Sequence, residues 1–224
     1  MIDRSSACQS RRQKGFTLIE LLTVISIIAI VAGLLVGLAP VAARSMRIKR
    51  VEADLQLLTT AIERYKDKFG HYPPDHVIGQ LPNGLKTVNP EINQLYYELT
   101  GFTYNSIANA QGVLKSGGIL YTNIVWAVFK KLGFVNASSD TKEVSNFLPG
   151  LKANQVATLP EGTSQYEVLA VPVNGPRDYQ GINGIKVNPW RYVSSNPTNN
   201  PNRFDLWAEI KVGKEIKIIG NWKQ

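Results

Sequence analysis

Cysteine is nearly absent: it occurs once in 224 residues, at Cys8, and histidine occurs only at His71 and His76. One chain therefore carries neither a disulfide framework nor the four Cys/His ligands of a structural zinc site. Catalytic signatures are missing as well. The sequence holds no Walker phosphate loop, no G-x-S-x-G elbow, no dinucleotide glycine pattern and no H-E-x-x-H; each of those chemistries needs that spacing to place a phosphate, nucleophile or metal. The two histidines flank Tyr72 and Pro73-Pro74, which is a loop composition, so neither an enzyme nor a resident cofactor is expected. Acids are outnumbered, 17 Asp+Glu against 25 Lys+Arg, leaving a net charge of +8. That balance favours anionic surfaces. The lysines are dispersed, however, and cluster on no recognition motif, so nucleic acid is not an expected partner.

One long apolar run dominates what is there. Leu21 through Ala43 contains no formal charge over 23 residues, enough at about 1.5 Å per residue to cross a hydrocarbon core of roughly 30 Å. A secretory signal peptide has a shorter apolar region that ends in a small-residue cleavage site. Here the run passes into a further helical pattern, so it is expected to be retained as a transmembrane helix. Glu20 stands at its start, and a carboxylate in a bilayer costs a few kcal/mol on insertion scales, which points to a partner or a function. Four basic residues precede the run (Arg4, Arg11, Arg12, Lys14) and four follow it closely (Arg44, Arg47, Lys49, Arg50). The positive-inside count is a tie and gives no orientation.

Beyond Ala43, the residues Ile48, Val51, Leu55, Leu58, Ile62, Tyr65 and Phe69 recur every three or four positions, one stripe of a helix. Gly70 and Pro73-Pro74 end it, so a helix from near Phe16 to about Phe69 is expected, with Pro40 and the upstream Gly33 and Gly37 marking the place for a bend. A stripe of this kind serves a coiled-coil seam or a helix lying on its own sheet. Three heptads are short for a seam and strand-like sequence follows, which favours the sheet. The expected organisation is 1–15 as leader, 16–43 as membrane helix, 44–70 as amphipathic continuation and 71–224 as globular head.

In the head, Asn89-Pro90-Glu91 predicts a helix over 90–99, and the apolar spacing predicts another over 119–132. Residues 166–171 and 204–210 read as strands; in the second, Phe204, Leu206, Ala208 and Ile210 share one face and Asp205, Trp207 and Glu209 the other. A hairpin to 215–219 follows through Lys211-Val212-Gly213-Lys214. The Asn-rich stretch 196–202 reads as an exposed loop. The fold class is α+β, a long N-terminal helix packed on a small antiparallel head.

Lys14-Gly15-Phe16-Thr17-Leu18-Ile19-Glu20 resembles the type IV pilin-like class: a basic leader, Gly before the cut, Phe after it and Glu inside the apolar segment. The resemblance implies cleavage between Gly15 and Phe16 by a prepilin peptidase and N-methylation of Phe16. Cys8 would leave with the leader. It also implies a helix retained first as anchor and then as filament core, with Glu20 paired to the Phe16 ammonium, on its own or an adjacent subunit. Within the class, Tyr65 to Pro73, Asp205-Leu206-Trp207 and Ile219-Gly220-Asn221-Trp222 resemble type II secretion pseudopilins. That implies a homopolymeric pseudopilus built from the bacterial inner membrane, with an assembly platform and minor pseudopilins as partners, the head in the periplasm and a separate ATP-driven motor. Such heads commonly hold calcium near these elements. Here Asp205 and Glu209 are the candidate ligands, but the connection is lysine-rich and supplies too few hard anionic ligands, so no metal is expected. A type IV pilus subunit for adhesion, motility or DNA uptake is the nearest alternative, and a membrane-anchored binding module a more distant one.

Overall fold

The computed structural model describes residues 15–104, 119–120, 122–131, 133–138, 140, 142–161, 164–177, 179–181 and 184–222. Its contacts divide the chain into two compact units, Met1–Ser45 and Met46–Gln224. Helix α1 is Leu18–Phe69, with Glu20 in its first turn and Lys66 and Lys68 in its last, the charge order that suits the helix dipole. Pro40 lies inside it, and the helix continues on both sides. At the other end Gly70 adopts φ 78° and its N–H reaches Lys66 O at 2.7 Å, a left-handed close that a glycine makes without strain.

In the second unit the α1 stripe is consumed by the chain's own core. Val51, Leu55, Leu58, Ile62 and Tyr65 are buried there in one cluster with head residues such as Trp190, Tyr192, Phe204 and Leu206, while Ile48 and Phe69 are partly buried against it. Each buried aliphatic contributes roughly 1.5–3 kcal/mol, which offsets the ordering of the helix they sit on. The stripe is the face of a helix on its own head.

The head follows α1 with the hairpin β1 (Val77–Gln80) and β2 (Lys86–Val88), then α2 (Leu95–Thr100), β3 (Phe102–Tyr104), β4 (Ile119–Leu120), α3 (Thr122–Phe129) and β5 (Ala137–Ser138). A 3-10 turn over Ala153–Gln155 leads into β6 (Val156–Glu161) and β7 (Ser164–Leu169), followed by β8 (Tyr179–Gln180), β9 (Lys186–Val187), β10 (Arg191–Val193), β11 (Asp205–Val212) and β12 (Glu215–Gly220). Among the described residues the strands form small sheets: antiparallel pairs β1–β2, β6–β7 and β8–β9, the antiparallel triplet β10–β11–β12, and a parallel triplet β4–β3–β5.

Several expected boundaries move. The helix predicted from Pro90 begins at Leu95, because Asn89 Oδ1 accepts from the N–H groups of Glu91 and Ile92 at 3.1 and 3.2 Å and closes a separate turn. The helix predicted over 119–132 is Thr122–Phe129, because Ile119 and Leu120 pair with β3 and Lys130 turns out at φ 55°; Leu132 lies outside the described residues. The strand predicted over 166–171 runs 164–169 and pairs with β6, a strand with no alternation of its own to mark it in the sequence. β11 behaves as its alternation requires: Phe204, Leu206, Ala208 and Ile210 are fully buried and the hairpin to β12 forms. Asp205, assigned to the outer face, is nevertheless only 3% exposed, because the Asn-rich loop folds over it.

Candidate functional site

At the N-terminal end, Gly15 has no atom within 4 Å of where a Cβ would stand, and Phe16 is 81% exposed. Immediately after it, Thr17 and Glu20 form a reciprocal cap on α1. The Thr17 N–H and hydroxyl donate to Glu20 Oε2 at 2.8 and 2.7 Å, and the Glu20 N–H donates to Thr17 Oγ1 at 3.3 Å. This is the Thr-x-x-Glu capping box, which satisfies two orphan donors of a helix start. It also sets the carboxylate one residue from the nitrogen that cleavage after Gly15 would turn into an ammonium. Besides the charge pairing that the resemblance implies for Glu20, the structure gives it this cap, whose signature in the sequence is the Thr-x-x-Glu spacing before an apolar run.

The apolar run beyond the cap is exposed from Leu21 to Val36 and from Leu38 to Ala43. Its two hydroxyls turn back on the helix: Thr23 donates to Glu20 O at 2.9 Å and Ser26 to Leu22 O at 2.8 Å. Neither then needs water in a hydrocarbon phase. Among the described residues one helix, Leu18–Phe69, is long and apolar enough to cross a membrane.

The calcium candidates are not brought together. Asp205 and Glu209 are four residues apart on one strand, about 13 Å by strand rise. Both oxygens of Asp205 face donors: the N–H groups of Thr198, Asn199 and Asn200 at 2.8, 2.8 and 2.9 Å, with the Asn199 and Asn200 side-chain amides at 3.1 Å. The 198–200 loop thus points N–H groups at a carboxylate. Glu209 lies 3.4 Å from Arg191, which is 2% exposed and donates from Nε to Glu91 Oε1 at 3.1 Å. Glu91 also pairs with Arg177 at 3.1 Å. His76 is buried, with Nδ1 2.8 Å from Ile92 O and its ring edge-on to Phe129, a packing role.

One buried group had no sequence signal. Glu98 on α2 is 0% exposed, and its carboxylate accepts from Tyr65 Oη (2.9 Å), Gln94 Nε2 (3.2 Å) and the N–H groups of Val135 and Asn136 (both 3.0 Å). It ties the amphipathic half of α1 to the head. Burial raises its pKa despite these donors. Burial, followed by the Glu98 charge, likewise pushes the Tyr65 hydroxyl up, so Tyr65 remains the donor.

Residues 10–36 match the family model of the prokaryotic N-terminal methylation motif. This segment carries the prokaryotic N-terminal methylation motif that type IV pilin-like precursors bear. Chains with this motif are processed by a prepilin peptidase and assemble into filaments, and with the apolar helix it fits a membrane-anchored pilin-like protein. Comparison with curated proteins and with solved structures gives no match. The family match covers residues 10–36; the head stands on its own geometry.

Proposed function

We propose that the chain is a structural subunit of a type II secretion pseudopilus. It is cut between Gly15 and Phe16, methylated at Phe16, held in the inner membrane by residues 16–43 with its head in the periplasm, and then polymerised with copies of itself to drive protein export. The observation that carries this reading is the N-terminal motif together with the Thr17–Glu20 cap, which holds a carboxylate beside the chain end that processing creates. An ammonium taken into an apolar filament core needs a counter-charge, and losing one member of such a buried pair costs about 3–5 kcal/mol. The Tyr-Pro segment after α1, the β11–β12 ending that sets Trp207 against Trp222, and the lack of cysteine after Cys8 favour a pseudopilus over a disulfide-stapled pilus head. The head needs no calcium on this reading, since Asp205 is already occupied by N–H donors.

Intact-mass analysis of the membrane-extracted protein is expected to give a chain beginning at Phe16 and carrying one methyl group. Glu20→Ala is expected to leave processed subunit in the membrane with few fibres and little secreted cargo. An unprocessed or differently cut chain, or full fibre yield from Glu20→Ala, would overturn the proposal.

A further inference from the structure

Within the second unit, the start of the amphipathic helix and the β11–β12 turn meet. Arg47 and Lys211 border one cavity of about 470 Å³ together with Asn174 and Gly213. The strand is fixed there by the Lys211 N–H, which donates to Asn174 O at 2.8 Å. Gly213, at φ 68°, makes the tight turn that Lys214 completes before Glu215 pairs back with Val212. Arg47, Lys211 and Lys214 are all exposed, and none makes an ion pair among the described residues. Glu215 is the sole acid between Lys211 and Lys217, against three lysines. Neighbouring Lys49, by contrast, is neutralised by Glu52 at 2.8 Å.

Chain length says what this patch faces. Arg47 is four residues past Ala43, the end of the uncharged run. Four residues reach about 6 Å as helix and at most about 14 Å fully extended. Residues 43–47 are helical, so the shorter figure applies and Arg47 stands at headgroup depth of a membrane crossed by that run, with Lys211 beside it. Cations that outnumber the acids among them repel one another unless an anion neutralises them. We propose that Arg47, Lys211 and Lys214 form a ledge that binds the phosphates of anionic phospholipids in the leaflet facing the head. The proposal rests on the membrane-anchored reading above. It also gives the basic residues after the apolar run a task besides topology, where their count had cancelled the leader's.

The test uses the full-length protein incorporated into nanodiscs of equal phosphatidylcholine and phosphatidylglycerol, then released into detergent for native mass spectrometry of retained lipid. Wild type is expected to retain phosphatidylglycerol preferentially, each cation near an anionic surface contributing a roughly fivefold preference. The triple variant Arg47→Gln/Lys211→Gln/Lys214→Gln is expected to lose that preference while keeping the wild-type melting temperature. Lys142→Gln/Lys152→Gln, elsewhere on the head, is expected to keep it. Equal retention of both lipids by wild type, or an unchanged preference in the triple variant, overturns the proposal. So does displacement of the lipid by inorganic phosphate at millimolar level, which would make the patch a free-phosphate site. Should the anchoring reading itself be wrong, the chain would fail to enter discs of either lipid; a wrong ledge leaves incorporation intact and removes only the preference.

Discussion

Glu98 and Asp205 are both buried carboxylates with full sets of donors, yet burial raises the pKa of Glu98, which therefore makes pH a probe of it. A carboxyl whose folded pKa lies above its unfolded one binds its proton more readily in the native state. Its contribution to stability is present at and below the ordinary carboxylate range and is lost as pH rises through the raised value. Asp54, half-buried beside Gln155, is raised by burial and acts in the same direction. Urea melts over a pH series are thus expected to show a stability component that falls with rising pH, flattened in Glu98→Gln. That variant is also expected to cost about 1–3 kcal/mol near neutrality, because its amide nitrogen would face N–H donors. Asp205→Asn meets the same conflict in the 198–200 loop, where charge-assisted bonds are lost, and is expected to cost about 1.5–3 kcal/mol per unsatisfied site.

At the scale of elements, α1 is two helices by chemistry, and each fails differently. Ile62→Ala opens a cavity at a fully buried position of the stripe and is expected to cost about 2–5 kcal/mol in head stability. Thr17→Val removes the hydroxyl of the cap and leaves head stability unchanged, but frays the first turn; exchange of the Leu18 to Leu21 amides in micelles should speed up. Much of this was legible because periodicity is strong: the seven-residue stripe and the alternation of β11 place their side chains by geometry alone. The motif from Lys14 to Glu20 was legible because few sequences put Gly, Phe and Glu at that spacing before an apolar run. The Glu98 cluster was not, since, Gln94 apart, its donors come from residues 65, 135 and 136, which only tertiary folding brings to it. The late start of α2 was missed because Asn89 caps a turn as readily as a helix, and the inward Asp205 because strand alternation does not report a loop closing over one end.

For the whole molecule, the N–H-lined Asp205 means that melting of the full-length protein in detergent is expected to be unchanged by a chelator; a melting temperature several degrees higher in calcium would show selective binding to the folded form. The stripe on α1 carries a wider consequence. Because Val51, Leu55, Leu58, Ile62 and Tyr65 are spent inside their own subunit, parting two neighbouring subunits uncovers none of that core. On the polymer reading proposed above, a subunit that leaves the fibre keeps this core closed and returns to the bilayer already folded, with no chaperone to wait for.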